Sequence, residues 1–239
     1  MEPKSPQTLE KARRLLASSL FLRDFAPEER NALLARCQVG TYAAGETIFL
    51  MGDPGDCMMA VLEGAIRISV TSPAGKQIVL TIMQPGDFFG EIALLDGKER
   101  TADATAMSAS VVAILYRRDL VSFLDEHPNG WPKVVDVLCE RLRRTTLQVS
   151  EVALLDLPVR LAKAVLRFTE RNAEDGKVND QIQLSQRELG NIVGATRESV
   201  NKCLREWQRA GMVKTDGANI KILNRADLQD LAESDDSRI

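Results

Sequence analysis

The sequence is poor in the side chains that most often carry out catalysis or hold metals. Its 239 residues include one histidine, His127, and four cysteines with no C-x-x-C spacing. Zinc sites need closely spaced ligands and disulfide frameworks need paired cysteines, so we expect neither. A nucleophilic side chain would need a base, yet His127 precedes Pro128 at a predicted helix start, where a capping role is expected. We therefore do not expect an enzyme.

Long apolar runs are also missing. No stretch approaches the roughly 18 apolar residues of a membrane span. Hydrophobic residues make up 44% of the chain and charged residues 27%, which is typical of a globular protein. The length suits two domains, each with its own core. We expect a cytoplasmic protein without a membrane partner.

What the sequence does have is a heptad repeat between Lys133 and Asp156. Its positions alternate in steps of three and four: Val135, Leu138, Leu142, Thr145, Val149 and Val152. This pattern predicts a long helix that pairs with a second copy of itself. Thr145 is polar, and Thr146 follows it, so these hydroxyls either set the register or bind something. The helix taken alone favours the first explanation.

Short β-type runs separated by turn signals fill the region from Val39 to Tyr116. The predicted strands are Thr47–Leu50, Met58–Leu62, Ile66–Val70, Ile78–Met83 and Val111–Tyr116. Closely spaced short strands of this kind predict a β-sandwich or jelly-roll barrel. Helical spacing in residues 9–37 precedes the barrel, with a helix start at Ala26-Pro27. A short helix over Arg118–Glu126 is expected to lead into the long one.

One loop in the barrel, GEIALLDGKERTA from Gly90 to Ala102, combines residues suited to a sugar phosphate. Gly90 begins a helical turn with free N–H groups, and Arg100 and Thr101 supply further donors. Glu91 can accept a hydrogen bond from a sugar hydroxyl. A surface loop closed by a salt bridge between Glu91 and Arg100 explains the same residues, and spacing alone slightly favours that explanation.

The segment from Leu184 to Gly211 has the signals of a helix-turn-helix. Ser185 and Glu188 form a capping box, Gly194 suits the turn and Thr196 caps a second helix. A hairpin at Asp216-Gly217 makes the unit a winged one. Between Ser185 and Ile222, seven basic residues against four acidic ones give +3, while the rest of the chain carries −6.

The second helix presents polar side chains that can read base edges. Arginine suits guanine and glutamate suits cytosine, so Arg197 and Glu198 are the first choices. The predicted DNA-contacting set is Ser185, Arg187, Thr196, Arg197, Glu198, Asn201 and Lys202. Upstream, Asp156-Leu157-Pro158 is expected to form a hinge at which Asp156 caps a new helix.

Several of these motifs together resemble one family. The turn G-E-x-A-L…R-T-A, the G-x-x-G-D at Gly52 to Asp56, the long helix and the G-x-[ST]-R-E-[ST]-V at Gly194 to Val200 are similar to the cyclic AMP receptor protein and FNR family of bacterial regulators. The resemblance covers nearly the whole chain. It implies an α+β protein with a jelly-roll cyclic-nucleotide-binding domain in residues 1–126, a dimerisation helix in 127–156 and a winged helix-turn-helix domain in 157–239.

The resemblance also implies roles for individual residues. Glu91 would hold the ribose 2′-hydroxyl, Arg100 the cyclic phosphate, and the two threonines the purine. The complete implied nucleotide site is Gly90, Glu91, Ile92, Ala93, Arg100, Thr101, Ala102, Thr145 and Thr146. The implied partners are a second copy, double-stranded DNA with a two-fold symmetric site, and RNA polymerase. Lys202 stands where arginine is usual, which leaves the inner bases of the half-site open.

The nucleotide is expected to be an effector rather than a cofactor. Cyclic AMP is the first choice, and cyclic GMP is the second because Thr101 resembles the R-T-A of cyclic-GMP-binding domains. The oxygen-sensing and haem-sensing branches are disfavoured, since an N-terminal cysteine cluster is absent and only one histidine is present. Two alternatives remain: a regulator of the same build that responds to another small molecule or to none, and a nucleotide-binding module that acts on a partner protein.

Overall fold

The chain divides into two compact units, Met1–Leu142 and Arg143–Ile239. The computed structural model describes residue 22 and residues 25–75, 77–171 and 180–234. The helical spacing predicted in residues 9–20 lies outside this range, as do residues 172–179 and 235–239. The boundaries predicted for the three domains stay predictions.

The first unit is a β-roll flanked by helices. Its elements are α1 (Pro27–Ala35), β1 (Gln38–Tyr42), β2 (Thr47–Phe49), β3 (Cys57–Glu63), β4 (Ile66–Thr71), β5 (Gln77–Met83), β6 (Phe88–Phe89), α2 (Glu91–Asp96), β7 (Asp103–Ala106), β8 (Ser110–Tyr116), α3 (Arg117–Glu126) and the first part of α4 (Gly130–Leu154). The strands form two four-stranded sheets, in the orders β1-β8-β3-β6 and β2-β7-β4-β5. The predicted jelly-roll is confirmed.

Strand β3 explains how the two sheets and the helices share a core. Successive side chains of a strand point to opposite faces. Met59 and Val61 lie in the cluster between the sheets, whereas Met58 and Leu62 lie in the cluster with α1, α3 and α4. A strand buried on both faces needs an unbroken apolar run, and β3 has one.

Local signals fix the ends of two helices. Pro27 opens α1, and the carboxylate of Glu29 accepts a hydrogen bond from the backbone of Ala26 at 2.9 Å, as the sequence predicted. His127 does cap a helix, but it lies at the end of α3 rather than at a helix start. Its Nδ1 lies 3.0 Å from the carbonyl of Phe123, and its ring stacks on the Phe123 ring.

Helix α4 confirms the long helix and presents two apolar faces. One face, with Val134 and Val137, packs on the core of the first unit. The other is the predicted heptad seam, whose five apolar positions are all exposed: Val135, Leu138, Leu142, Val149 and Val152. In the part of the chain that the structure describes, no helix combines the length and hydropathy needed to cross a bilayer.

The second unit contains the end of α4 and the elements that follow. These are α5 (Leu157–Arg171), β9 (Gln181–Gln183), α6 (Gln186–Val193), α7 (Arg197–Arg209), β10 (Val213–Asp216), β11 (Asn219–Ile222) and α8 (Arg225–Glu233). The predicted hairpin is confirmed, but its turn residues are Gly217 and Ala218, since Asp216 pairs with Asn219. Strand β9 adds a third strand that the sequence did not predict, because Gln-Ile-Gln is too short to show a period.

Two arginines of α5 fasten it to the last turns of α4. Arg160 Nη1 donates to the carbonyls of Val152 at 2.9 Å and Leu155 at 3.2 Å. Arg167 pairs with Glu151 at 2.7 Å. A cation placed on the free carbonyls at a helix end stabilises them and complements the helix dipole. Asp156, the predicted hinge, lies in the short break that Arg160 spans, and its role as a hinge stays a prediction.

Candidate functional site

Gly90 forms the turn between β6 and α2 and makes room for Arg100. Its φ is +78°, a left-handed conformation that favours glycine. A Cβ built on Gly90 would lie 2.6 Å from Nη1 of Arg100, which is closer than real Cβ contacts allow. The carbonyl of Gly90 instead accepts a hydrogen bond from that nitrogen at 2.9 Å. Any larger residue at position 90 would displace the guanidinium.

Arg100 is a buried cation that forms no ion pair with a carboxylate in the described part of the chain. Its residue is 4% exposed, and Nη1 also donates to the carbonyl of Cys57 at 2.7 Å. Nη2 lies 3.2 Å from Cys57 Sγ, and the guanidinium lies 4.3 Å from the centroid of the Phe49 ring. Its Nε is buried without a hydrogen-bond partner. Because an unpaired buried charge costs several kcal/mol, this position strongly favours an anion.

The G-x-x-G-D loop holds the backbone of Arg100. The N–H of Gly52 donates to the carbonyl of Arg100 at 2.9 Å, and the N–H of Arg100 donates to the carbonyl of Asp53 at 2.8 Å. A Cβ on Gly55 would overlap the Cβ of Ala93, so this loop also packs tightly on α2. The G-x-x-G-D loop and the loop from Gly90 to Ala102 are therefore both in contact with Arg100.

Glu91 follows Gly90 as the first residue of α2, and it is buried and pairs with a residue from the long helix. It is 5% exposed, and its Oε1 accepts a hydrogen bond from Nε of Arg141 at 3.1 Å. Arg141 Nη2 donates to the carbonyl of Phe88 at 3.0 Å. The alternative of an exposed loop closed by a Glu91 to Arg100 salt bridge is wrong, because both side chains are buried and Glu91 pairs with Arg141.

The other residues predicted for the nucleotide site differ in exposure. Ala93 and Ala102 are buried and form part of the wall, whereas Ile92 is 39% exposed and Thr101 is exposed. Thr145 and Thr146 follow Leu142 on α4, within the second unit, and both are exposed. Their contact with a purine stays a prediction.

Arg141 is the site residue that the sequence analysis missed. It lies off the heptad seam and belongs to none of the motifs described above. Yet it lies four residues after Val137 and seven after Val134, both of which pack on the core of the first unit. Helical spacing therefore places Arg141 on the face of α4 that meets the β-roll.

The helix-turn-helix is built as its capping residues predicted. The N–H of Glu188 donates to the hydroxyl of Ser185 at 3.2 Å, and the N–H of Ser185 donates to the Glu188 carboxylate at 2.7 Å. Gly194 ends α6 with a φ of +68°. The N–H of Ser199 donates to the hydroxyl of Thr196 at 3.2 Å, which caps α7. The Ser185 hydroxyl is thus already engaged in holding the first helix.

Helix α7 buries one side and exposes the predicted reading side. Its buried residues are Val200, Cys203, Leu204 and Trp207. One open groove on the opposite side is lined by Arg197, Glu198, Asn201, Lys202 and Arg205. The amide nitrogen of Asn201 donates to Gln186 at 2.6 Å, which links this groove to α6. Arg187 is also exposed, on α6.

Glu198 is prepared to act as a hydrogen-bond acceptor. Its own backbone N–H, and then the Thr196 hydroxyl, hold the pKa of its carboxyl below the usual value. A carboxylate in the first turn of a helix is further favoured by the helix dipole. Glu198 is thus ionised at neutral pH and can accept from a cytosine amino group.

Comparisons with known proteins agree with both halves of this description. Residues 39–127 match the model of the cyclic nucleotide-binding domain, and residues 159–231 match the Crp-like helix-turn-helix domain. The chain is 31% identical over 210 residues to the CRP-like cAMP-activated global transcriptional regulator of Mycobacterium tuberculosis, covering 87% of this chain and 94% of that relative. It is 27% identical over 217 residues to the cyclic AMP receptor protein of Thermus thermophilus, covering 91% and 98%.

Solved structures of similar proteins also resemble this chain. A transcriptional regulator of the CRP/FNR family from Thermus thermophilus is 30% identical, with a TM-score of 0.67, and the match covers 83% of this chain and all of that one. FixK2 from Bradyrhizobium japonicum shares the fold, with a TM-score of 0.74 at 23% identity, over 82% of this chain and 96% of its own. The chain belongs to the CRP/FNR family of transcriptional regulators.

Proposed function

We propose that this regulator is a homodimer whose affinity for DNA is controlled by a cyclic nucleotide, with cyclic AMP as the first choice and cyclic GMP as the second. The observation that carries the proposal is Arg100, a buried guanidinium with no carboxylate partner in the described residues. A cyclic phosphate supplies one negative charge and two free oxygens, which suit the fork of a guanidinium. The relatives from Mycobacterium tuberculosis and Thermus thermophilus carry cyclic AMP in their names.

Glu91 provides the second half of the ligand's recognition. Its buried carboxylate can accept a hydrogen bond from the ribose 2′-hydroxyl of a nucleotide. Inorganic phosphate has no such hydroxyl, so this hydrogen bond would make the site selective for a cyclic nucleotide. Arg141 orients this carboxylate through its 3.1 Å contact. Because Arg141 belongs to α4, a ligand that contacts Glu91 also acts on the long helix.

The exposed seam of α4 supports a dimer. Five apolar positions at heptad spacing are exposed in the single chain, by between 36% and 67%. Fully burying one such side chain contributes about 1.5–3 kcal/mol, so a second α4 is the natural partner. Thr145 lies between Leu142 and Val149 in the same seam. A purine that contacts this threonine would therefore change how the two helices pack.

The groove on α7 supports sequence-specific DNA binding. Arginine, glutamate and asparagine at Arg197, Glu198 and Asn201 can read the edges of base pairs in a major groove. Two copies related by a two-fold axis would read half-sites spaced by one helical turn, about 34 Å. As a transcriptional regulator bound at such a site, the dimer is expected to meet RNA polymerase.

The choice of purine depends on groups near Thr101. Thr101 itself is exposed. A hydroxyl on the ligand's purine side suits the amino group of guanine, which adenine lacks at that position. Cyclic GMP therefore stays the second choice and is tested together with cyclic AMP.

The decisive experiment is calorimetric titration with each nucleotide, followed by DNA binding with and without the one that binds. We expect one nucleotide to bind at one site per chain and to strengthen binding to a two-fold symmetric DNA site. Binding of neither nucleotide would contradict the proposal and leave a DNA-binding dimer with another signal or none. Binding without any effect on DNA affinity would refute the coupling through α4.

A further inference from the structure

Cys57 contacts Arg100 twice, from a position 43 residues earlier in the chain. Its carbonyl accepts from Nη1 at 2.7 Å, and its Sγ lies 3.2 Å from Nη2. The residue itself is 7% exposed. Sulfur is a weak hydrogen-bond acceptor, whereas a phosphate oxygen makes charge-assisted bonds about twice as strong as neutral ones. An arriving phosphate can therefore take the place of Sγ on Nη2.

A second observation points to an anion independently of the thiol. Nε of Arg100 is buried without a hydrogen-bond partner, and the guanidinium pairs with no carboxylate in the described part of the chain. The carbonyls of Cys57 and Gly90 hold Nη1 in place. Among the described residues, the Cys57 sulfur is the one hydrogen-bond acceptor of Nη2, so Nη2 is the terminal nitrogen most easily released to a ligand.

The thiol stays uncharged at neutral pH. Burial raises the pKa of Cys57, and the neighbouring Arg100 opposes this rise only in part. A neutral thiol competes weakly for the guanidinium, whereas an anionic group at the same place would form an ion pair with it. The charge at position 57 therefore decides whether Arg100 is available.

Resting on the proposed function, we infer that Cys57 belongs to the phosphate subsite, where its thiol occupies Nη2 of Arg100 until a phosphate oxygen of the nucleotide displaces it. The bound nucleotide then covers Sγ. An anionic group on residue 57 and a bound cyclic nucleotide exclude each other.

The first test is calorimetric titration of full-length Cys57→Asp and Cys57→Ser with cyclic AMP and cyclic GMP. Cys57→Asp should bind at least about tenfold more weakly, because its carboxylate takes the guanidinium. Cys57→Ser stays uncharged and should weaken binding by no more than about threefold. Cys139→Asp is the matched control, since it places the same charge on an exposed cysteine of α4. Thermal unfolding checks that each variant folds.

The second test uses the unaltered protein and the neutral reagent iodoacetamide. The sulfur forms a bond to the reagent's carbon, iodide leaves and the thiol proton passes to the buffer. Peptide mass spectrometry should show Cys57 labelled more slowly when nucleotide is bound, with Cys139 as the internal reference. If Cys57→Asp fails to fold, the comparison of Cys57 labelling with and without nucleotide tests the inference by itself.

The outcomes separate this inference from the proposed function. Nucleotide binding by the wild type, together with equal affinity in Cys57→Asp and equal labelling, overturns the role of Cys57 and leaves the function intact. Absence of nucleotide binding by the wild type overturns both. Weak binding by Cys57→Asp together with protected labelling supports the displacement of Sγ by phosphate.

Discussion

Arg100 and Arg197 place the same guanidinium group in two different environments. Arg100 is buried, is held by the carbonyls of Cys57 and Gly90, and lies over the Phe49 ring. Arg197 is exposed in the first turn of α7 and lines an open groove. The first is ordered before any ligand arrives, so little side-chain entropy is lost on binding. The second is solvated and would have to be ordered by DNA in the proposed complex.

This difference predicts how each arginine responds to substitution. A buried cation also serves as part of the wall, so its loss removes charge and shape together. An exposed cation contributes only when its partner is present, and salt screens it. An arginine-to-alanine substitution at the two positions should therefore have effects on binding affinity that differ in size and in selectivity.

The largest effect is expected for Arg100→Ala. Losing several charge-assisted hydrogen bonds to a phosphate, each worth about 1.5–3 kcal/mol, should weaken nucleotide binding by a hundredfold or more. Titration calorimetry measures this loss, and sedimentation should still show a folded dimer. Arg118→Ala is the matched control, because Arg118 lies on the surface of the same unit. Unchanged nucleotide affinity in Arg100→Ala would remove the basis of the phosphate subsite.

A smaller and more selective effect is expected for Arg197→Ala. The loss should be about 1–3 kcal/mol at one base position, with relaxed preference there, because a guanine contact is removed. Binding assays on a set of single-base variants of the site measure it. Arg209→Ala, in the last turn of the same helix, is the control. Equal loss on every sequence would mean that Arg197 contacts phosphates only.

The smallest effect is expected for Thr145→Val, which keeps the shape of the side chain and removes its hydroxyl. Loss of one neutral hydrogen bond should weaken the nucleotide by about 0.5–1.5 kcal/mol and leave the dimer intact or slightly stabilised. Calorimetry and sedimentation equilibrium measure the two quantities separately. A dimer that dissociates would instead show that Thr145 sets the register of the seam.

Features encoded over short distances could be predicted from the sequence. The capping pair of Ser185 and Glu188, the cap at Thr196 and the glycine at the turn each depend on residues within a few positions. The long helix was predictable for a related reason, since its heptad period extends over several turns. These signals sufficed for the helix-turn-helix and for the exposed seam of α4.

Features that depend on distant residues could not be predicted. The contact between Cys57 and Arg100 joins positions 43 apart, and that between Glu91 and Arg141 joins positions 50 apart. Nothing in the sequence indicated that Glu91 would pair with Arg141 and not with Arg100, which is nearer in the sequence. Arg141 reaches Glu91 because α4 packs on the core of the first unit, and that packing is a property of the assembled unit. Strand β9 was missed because its hydrogen-bond partner, β11, comes much later in the chain.

The contacts of Arg160 and Arg167 determine where the chain can be truncated or joined to a relative in a chimera. Both arginines of α5 need acceptors that lie on α4, at Val152, Leu155 and Glu151. A fragment that starts at Leu157 would lose all three acceptors, so that neither arginine could hold α5 against α4. A chimera that exchanges DNA-binding halves between relatives should therefore place its junction before Glu151, within the long helix, so that each arginine travels with its own acceptors.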